Sequence, residues 1–276
     1  MEKKLVPMTL DEVHKNTLEI LRFIVEVCKK LDIQYYGMFG TALGAVRHNG
    51  YIPWDDDLDL MMKRPDYEKF LDYFKTHDTS PFYIDNPLNN SHYPFYISRV
   101  CDERFVVKFD KYNYESGLFI DIYPFDPMGN DKDMEWWRKT EKTKRRFLKK
   151  FISASQYKTV FGHGKTVFQK LVNIPISLIG KMFGNRFFYK ELDKYSSKFN
   201  WENSKYIGFP TWNMWILFFE KKDFDSVVYL PFENTEIAVP IGYDNILKCS
   251  YGDYMTLPPV EKRNPSHDYQ AYKYSE

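Results

Sequence analysis

The sequence predicts an α/β fold of the α+β kind: a mixed sheet flanked by helices, with a helical, basic insertion. Three observations lead there. Helix-periodic and strand-like segments alternate over roughly the first 128 residues. From about Asp131 to Asn200 the pattern turns helical, basic and aromatic. Beyond it, VVYLPFENTEIAV (Val227–Val239) reads as strand, turn, strand. The chain therefore divides into 1–128, a basic aromatic helical segment 129–200, and a C-terminal part 201–276.

Thr9-Leu-Asp-Glu12 is a capping box, and Val13, Thr17, Ile20, Ile24, Val27 and Leu31 follow it at helical spacing. Gln34–Phe39 is strand-like and runs into Gly40-Thr41, which opens a short helix to about His48. Gly50–Trp54 is a turn containing Pro53. Leu58–Met62 has strand character, and Pro65 opens an amphipathic helix with Tyr67, Phe70, Leu71 and Phe74 on one side. Tyr96–Val100, Phe105–Phe109 and Leu118–Tyr123 read as three further strands. Glu233-Asn234 falls at the bend of the later hairpin; a short helix follows, and Pro258-Pro259 stops it.

Composition narrows the function classes. A chain of 276 residues with 43% hydrophobic and 28% charged residues buries a substantial core. Cys28, Cys101 and Cys249 lie far apart with no C-x-x-C pair, which argues for a reducing compartment, and the cytoplasm is expected. MEKKLVPMTLDE lacks the apolar core of a secretory signal, and LVNIPISLIG (Leu171–Gly180) is too short to span a bilayer. Aromatics at 18% exceed what a core requires, so some are expected at a site. The net charge of +1 hides an asymmetry: from Arg138 to Lys190, 14 Lys and Arg stand against one acid, Glu141.

In GTALGAVRHNGYIPWDDDLDLMM (Gly40–Met62) four aspartates fill five positions beside an apolar run. Like charges so crowded repel unless a cation neutralises them or water screens them. On an extended chain Asp55, Asp57 and Asp59 share one face while Asp56, Leu58 and Leu60 take the other. Oxygen ligands at that spacing suit Mg²⁺ or Mn²⁺ beside phosphate oxygens. A Ca²⁺ loop starting at Asp55 fails, because Leu60 stands where glycine is needed. Gly40-Thr41 places free backbone N–H groups at a helix start, a phosphate cradle. Asp121 in GLFIDIYPFD lies between apolar neighbours, where a carboxylate is expensive unless it is paired or metal-bound.

FGTALGAVRHNGYIPWDDDLDLMM resembles the signature of the LicD family, within the DNA polymerase beta-type nucleotidyltransferase superfamily, and Val227–Tyr269 resembles that family's C-terminal stretch. The resemblance implies a nucleotidyltransferase-like fold, with 1–128 as catalytic core and 201–276 completing it. It implies a two-metal phosphotransferase in which Asp57 and Asp59 hold the metals, and Asp121 completes the site and accepts the acceptor hydroxyl's proton. Arg47 and His48 then contact donor phosphates; Arg99, Arg263 and His267 are further candidates. The implied donor is a CDP-linked conjugate, the acceptor a glycan or lipid-linked oligosaccharide, and CMP the leaving group, with phosphocholine as the group moved. Tyr51, Trp54, Tyr93, Tyr96, Trp212 and Trp215 are the aromatics considered for a choline cage.

Two rivals stay open on sequence alone. One is nucleotidyl transfer with release of pyrophosphate; the other is a non-catalytic glycan- or choline-binding module, which leaves the three aspartates unexplained. GHGKT (Gly162–Thr166) mimics a Walker A end, but Thr159 stands where that motif needs glycine. The arm 138–190 suits an anionic membrane surface or a polyanionic acceptor; a nucleic-acid partner has no support beyond charge, and none is expected.

Overall fold

The computed structural model describes residues 4–162, 166–211, 217–265 and 267–275. The chain opens with strand β1 (Leu5–Pro7) and helix α1 (Leu10–Leu31). The capping box is present: Thr9 Oγ1 accepts from the Glu12 N–H at 3.3 Å and the Glu12 carboxylate from the Thr9 N–H at 3.0 Å. Val13, Ile20, Leu21, Ile24 and Val27 bury the apolar face. Asp32, with a left-handed φ of 51°, ends the helix and turns the chain into β2 (Tyr35–Gly37). Helix α2 (Phe39–His48) follows after Met38 alone, so the strand expected to reach Phe39 stops earlier. Strand β3 (Asp59–Lys63) leads directly into α3 (Arg64–Thr76), with Pro65 in its first turn.

Strand β4 (Phe82–Asp85) precedes β5 (Ser98–Phe109) and β6 (Glu115–Gly129). Here the structure corrects the sequence reading. The two strands expected at Tyr96–Val100 and Phe105–Phe109 are one strand, β5, whose register against β6 shifts between Asp102 and Val107. The polar residues at that bulge break the alternation without breaking the strand: Arg104 folds back onto the buried Asp102 carboxylate at 2.6 Å. The basic segment is helical as expected, in α4 (Met134–Lys142), α5 (Lys144–Ala154) and α6 (Val167–Asp193), the last bent at Gly184 with a φ of 76°. Gly180 lets α5 and α6 approach closely: a Cβ there would stand 2.7 Å from the Phe151 carbonyl oxygen.

Strands β7 (Tyr206–Gly208) and β8 (Phe219–Glu220) extend the far end of β6. Strands β9 (Val227–Phe232) and β10 (Thr235–Pro240) form the expected hairpin, bent at Glu233 with a φ of 55°. Helix α7 (Tyr243–Tyr251) and β11 (Tyr269–Tyr274) complete the described chain. Among the described residues, the main sheet runs β1-β11-β5-β6-β3-β2, with β4 on β5 and β7-β8 on β6. Among the described strand pairs of this sheet only β3–β6 is parallel. Helix α1 packs on β5 and β6, and α3 on β3 and β6, so the strands at the centre are buried on the helix side.

The register of the central strands matters most. Asp59 on β3 stands opposite Asp121 on β6, and Arg99 on β5 stands opposite Asp121 from the other side. Residues paired across a ladder share a face, so three charged groups line up across three strands.

Candidate active site

The three strands open onto a cleft of about 680 Å³. Asp55, Asp57, Asp59 and Asp121 all line it, while Asp56 turns away, as the alternation required. One oxygen each from Asp57, Asp59 and Asp121 lies within 4.8 Å of the others. Asp59 Oδ1 is buried and has no hydrogen-bond partner among the described residues. An orphaned carboxylate oxygen in a pure oxygen donor set is what a hard divalent cation accepts, so the residues fit Mg²⁺ or Mn²⁺.

The electrostatics point the same way. Burial pushes Asp57 up to about 7, against the pull of His267 and helped by Asp55, Asp121 and Asp56. Burial, then Asp57 and Asp121, hold Asp59 well above the carboxylate range. Without a cation these groups resist ionising together; a divalent ion removes the conflict. Two protein cations offset part of the charge. Arg99 Nε donates to Asp121 Oδ1 at 2.6 Å, its guanidinium held between the rings of Phe95 (4.0 Å) and Phe119 (3.7 Å). His267 donates from Nδ1 to Asp56 Oδ1 at 2.6 Å and faces Asp57 Oδ2 from Nε2 at 3.3 Å. Burial opposes its protonation, but the Asp56 hydrogen bond and the charges of Asp57, Asp56 and Asp121 prevail and push it up to about 10.

The other expected residues fall into two groups. Gly40 and Arg47 line the cleft. A Cβ on Gly40 would come within 2.3 Å of Asp55 Oδ2, so glycine makes room for that carboxylate at the start of α2, where negative charge is favoured. Arg47 is partly engaged, donating from Nη1 to the Tyr254 carbonyl at 2.6 Å and from Nε to His48 Nε2 at 3.0 Å. Thr41, His48 and Arg263 stand behind the wall rather than in it. Buried Thr41 accepts through Oγ1 from the Asp59 N–H at 2.8 Å, which orients Asp59. His48, held below its ordinary value by burial and by Arg47, is the neutral acceptor that steadies that arginine. Arg263 donates to the Pro258 carbonyl at 2.8 Å and lies over the Trp54 ring at 5.4 Å.

Of the aromatics considered for a cage, Trp54 lines the cleft. Tyr51 does not: it stacks on His14 at 3.9 Å and hydrogen-bonds Thr17 at 2.6 Å, in the core. Tyr93 is fully buried, and Tyr96 faces Lys149 in the helical segment. Trp212 and Trp215 lie outside the described residues. The cleft instead takes Phe39, Phe95 and Tyr123 from the core, and Tyr251, Asp253 and Tyr254 from the end of α7 and beyond. Nothing local marks these last three; α7 brings them in by packing on α2.

Thr41 offers a direct check on the site's support. Thr41→Val leaves the buried Asp59 N–H without an acceptor, a loss of about 1–3 kcal/mol. Weaker Mn²⁺ binding in a titration and a lower melting temperature are expected, with Thr41→Ser close to wild type. Equal metal affinity in Thr41→Val and wild type would refute the support role.

The family model that matches residues 32–164 is described as LicD/FKTN/FKRP, nucleotidyltransferase domain. The lipopolysaccharide cholinephosphotransferase LicD of Haemophilus influenzae is 30% identical over 277 residues, covering 96% of this chain and 98% of its own. An uncharacterised protein of Rickettsia typhi is 32% identical over 160 residues, 47% of this chain and 45% of its own. Similarity to the Haemophilus protein thus reaches beyond residues 32–164 and takes in the basic helices. The chain belongs to the LicD family and is a transferase.

Proposed function

We propose that the enzyme moves phosphocholine from a CDP-linked donor to a hydroxyl of a glycan or lipid-linked oligosaccharide of the cell surface, releasing CMP. The observation that carries this reading is the meeting of Asp57, Asp59 and Asp121 at one point of the cleft, in a chain alike over 96% of its length to a cholinephosphotransferase. Those three carboxylates would hold Mg²⁺ or Mn²⁺, which when bound supplies positive charge to the diphosphate and to the oxygens around the reacting phosphorus. Arg47 lies at the cleft wall, and Arg99 Nη1 is buried without a hydrogen-bond partner among the described residues; both suit phosphate oxygens. The acceptor oxygen attacks the phosphorus bearing choline, its proton passes to Asp121 Oδ2, and the bond to the CMP oxygen breaks. Asp121 Oδ1 accepts from Arg99, which fixes the carboxylate, and Oδ2, which accepts from the Tyr123 hydroxyl at 3.4 Å, is the oxygen we assign to the proton. Trp54, Tyr251 and Tyr254, with Asp253 beside them, suit a quaternary ammonium through cation–π and charge attraction.

Cys28, Cys101 and Cys249 are all unpaired, which supports a reducing, cytoplasmic setting. Among the described residues no helix is long and apolar enough to cross a membrane. The test supplies CDP-choline, CDP-ribitol, CDP-glycerol and CTP separately, with Mg²⁺ and acceptor, and follows the nucleotide by chromatography. Acceptor-dependent CMP from CDP-choline, abolished by a chelator, is the expected result. Pyrophosphate from CTP, with every CDP conjugate inert, would make the enzyme a nucleotidyltransferase instead.

A further inference from the structure

The long helix α6 is apolar on two sides, and only one of them is covered. Ile176, Ser177 and Gly180 face α5 and are buried. On the other side Val167, Phe168, Leu171, Leu178, Met182 and Phe183 are exposed, Phe168 to 75% and Met182 to 70%. Phe168, Leu171, Leu178 and Met182 follow the three- and four-residue steps of a single helix face. A row of large apolar side chains left exposed on one helix face marks a contact. Charge identifies the contact. Lys170, Lys181, Arg186 and Lys190 stand exposed along the same helix, and from Lys142 to Lys190 the sequence contains no Asp or Glu.

We propose that this outer face of α6 lies on an anionic membrane leaflet, the apolar row entering the acyl boundary and the cations meeting lipid headgroups. An apolar stripe with a basic rim and no acid is complementary to such a surface. A second copy of the chain is a poor occupant, because it would set one all-cationic stretch against another. Helices α5 and α6 also tie this face to the cleft. Asn185 Nδ2 donates to the Tyr93 carbonyl at 2.7 Å and the Asn90 carbonyl at 3.0 Å, and Ser153 Oγ to the Pro94 carbonyl at 3.2 Å. The next residue, Phe95, lines the cleft and stacks on Arg99. Docking therefore holds the cleft at a set position above the lipid, where a lipid-borne acceptor would be met. The docking itself does not depend on which group the enzyme transfers.

The test is flotation of the full chain with phosphatidylcholine vesicles, with and without a phosphatidylglycerol component, at low and high salt. Binding at least about tenfold tighter to the anionic vesicles and weakened by salt is expected. Phe168→Glu combined with Leu171→Glu should abolish it, with an unchanged melting temperature and unchanged Mn²⁺ binding. If that pair fails to fold, Lys170→Glu with Lys181→Glu carries the test through loss of the anionic preference. Failure of wild type to float, equal binding to neutral vesicles, or undiminished binding by a folded variant would overturn the proposal. So would light scattering that shows a dimer dissolved by the Phe168/Leu171 pair, which would make the face a self-association surface. None of these outcomes bears on CMP release from CDP-choline, so the two readings fail separately.

Discussion

Asp59→Asn is expected to lower kcat by on the order of a hundredfold or more, the scale of a lost electrostatic contact to a transition state. Shape and volume are nearly kept, so the loss is one of charge. The same change should stabilise the metal-free protein, because Asp59 is buried among other carboxylates and held well above its ordinary value. A carboxyl raised in the folded state retains its proton where the unfolded chain has released it, and that difference opposes folding. Metal-free wild type should therefore gain stability as pH falls from about 7, where Asp57 titrates in the fold, toward the ordinary carboxylate range. His267 contributes in the same direction higher up: its stabilisation is complete below 6.5 and is lost as pH rises through about 10. Thermal melts across pH with a chelator, beside kinetics with Mg²⁺, check both halves. Near-normal turnover in Asp59→Asn would remove the aspartates from the chemistry.

Arg99→Met should produce the largest loss of stability among the site variants. It fills much of the space between Phe95 and Phe119 but leaves Asp121 buried without its cation. Breaking a buried pair from one side costs about 3–5 kcal/mol. For a chain of this size that lowers the melting temperature by on the order of 10 °C. Saturating Mg²⁺ should restore part of the loss, since the ion would neutralise the charge that Arg99 leaves behind. Arg99→Lys should not rescue, because a lysine ammonium cannot lie flat between two rings as a guanidinium does. Calorimetry with and without Mg²⁺ decides it; a melting temperature indifferent to Mg²⁺ in Arg99→Met would contradict a cation at Asp121.

The aspartates are legible in sequence because their signals are local. Asp57 and Asp59 are two residues apart on extended chain, and the apolar flanks of Asp121 announce a buried charge. The capping box at Thr9, the helix opened by Pro65 and the bend at Glu233 are legible for the same reason. Arg99 is different. That it meets Asp121 depends on the register between β5 and β6, and the bulge between Asp102 and Val107 makes one strand read as two. Tyr251, Asp253 and Tyr254 reach the cleft through the packing of α7 on α2, which leaves no local pattern. Strands β1, β4, β7, β8 and β11 are not legible in the sequence either. They are short or half-exposed, and their identity as strands comes from the partner beside them rather than from alternation.

The place of β11 sets an order of events during protein synthesis. It lies between β1 and β5, pairing Leu5 with Tyr274 and Phe109 with Tyr269. The loop ahead of it delivers His267 to Asp56 and Asp57. On the ribosome, β1 and the Phe105–Phe109 part of the β5 edge therefore wait unpaired until β11 has left the exit tunnel. At translation rates of roughly 5–20 residues per second that wait lasts on the order of ten seconds or more. For that time a nascent chain carries its aspartates but not the histidine beside them, so the cleft closes only once this strand is delivered.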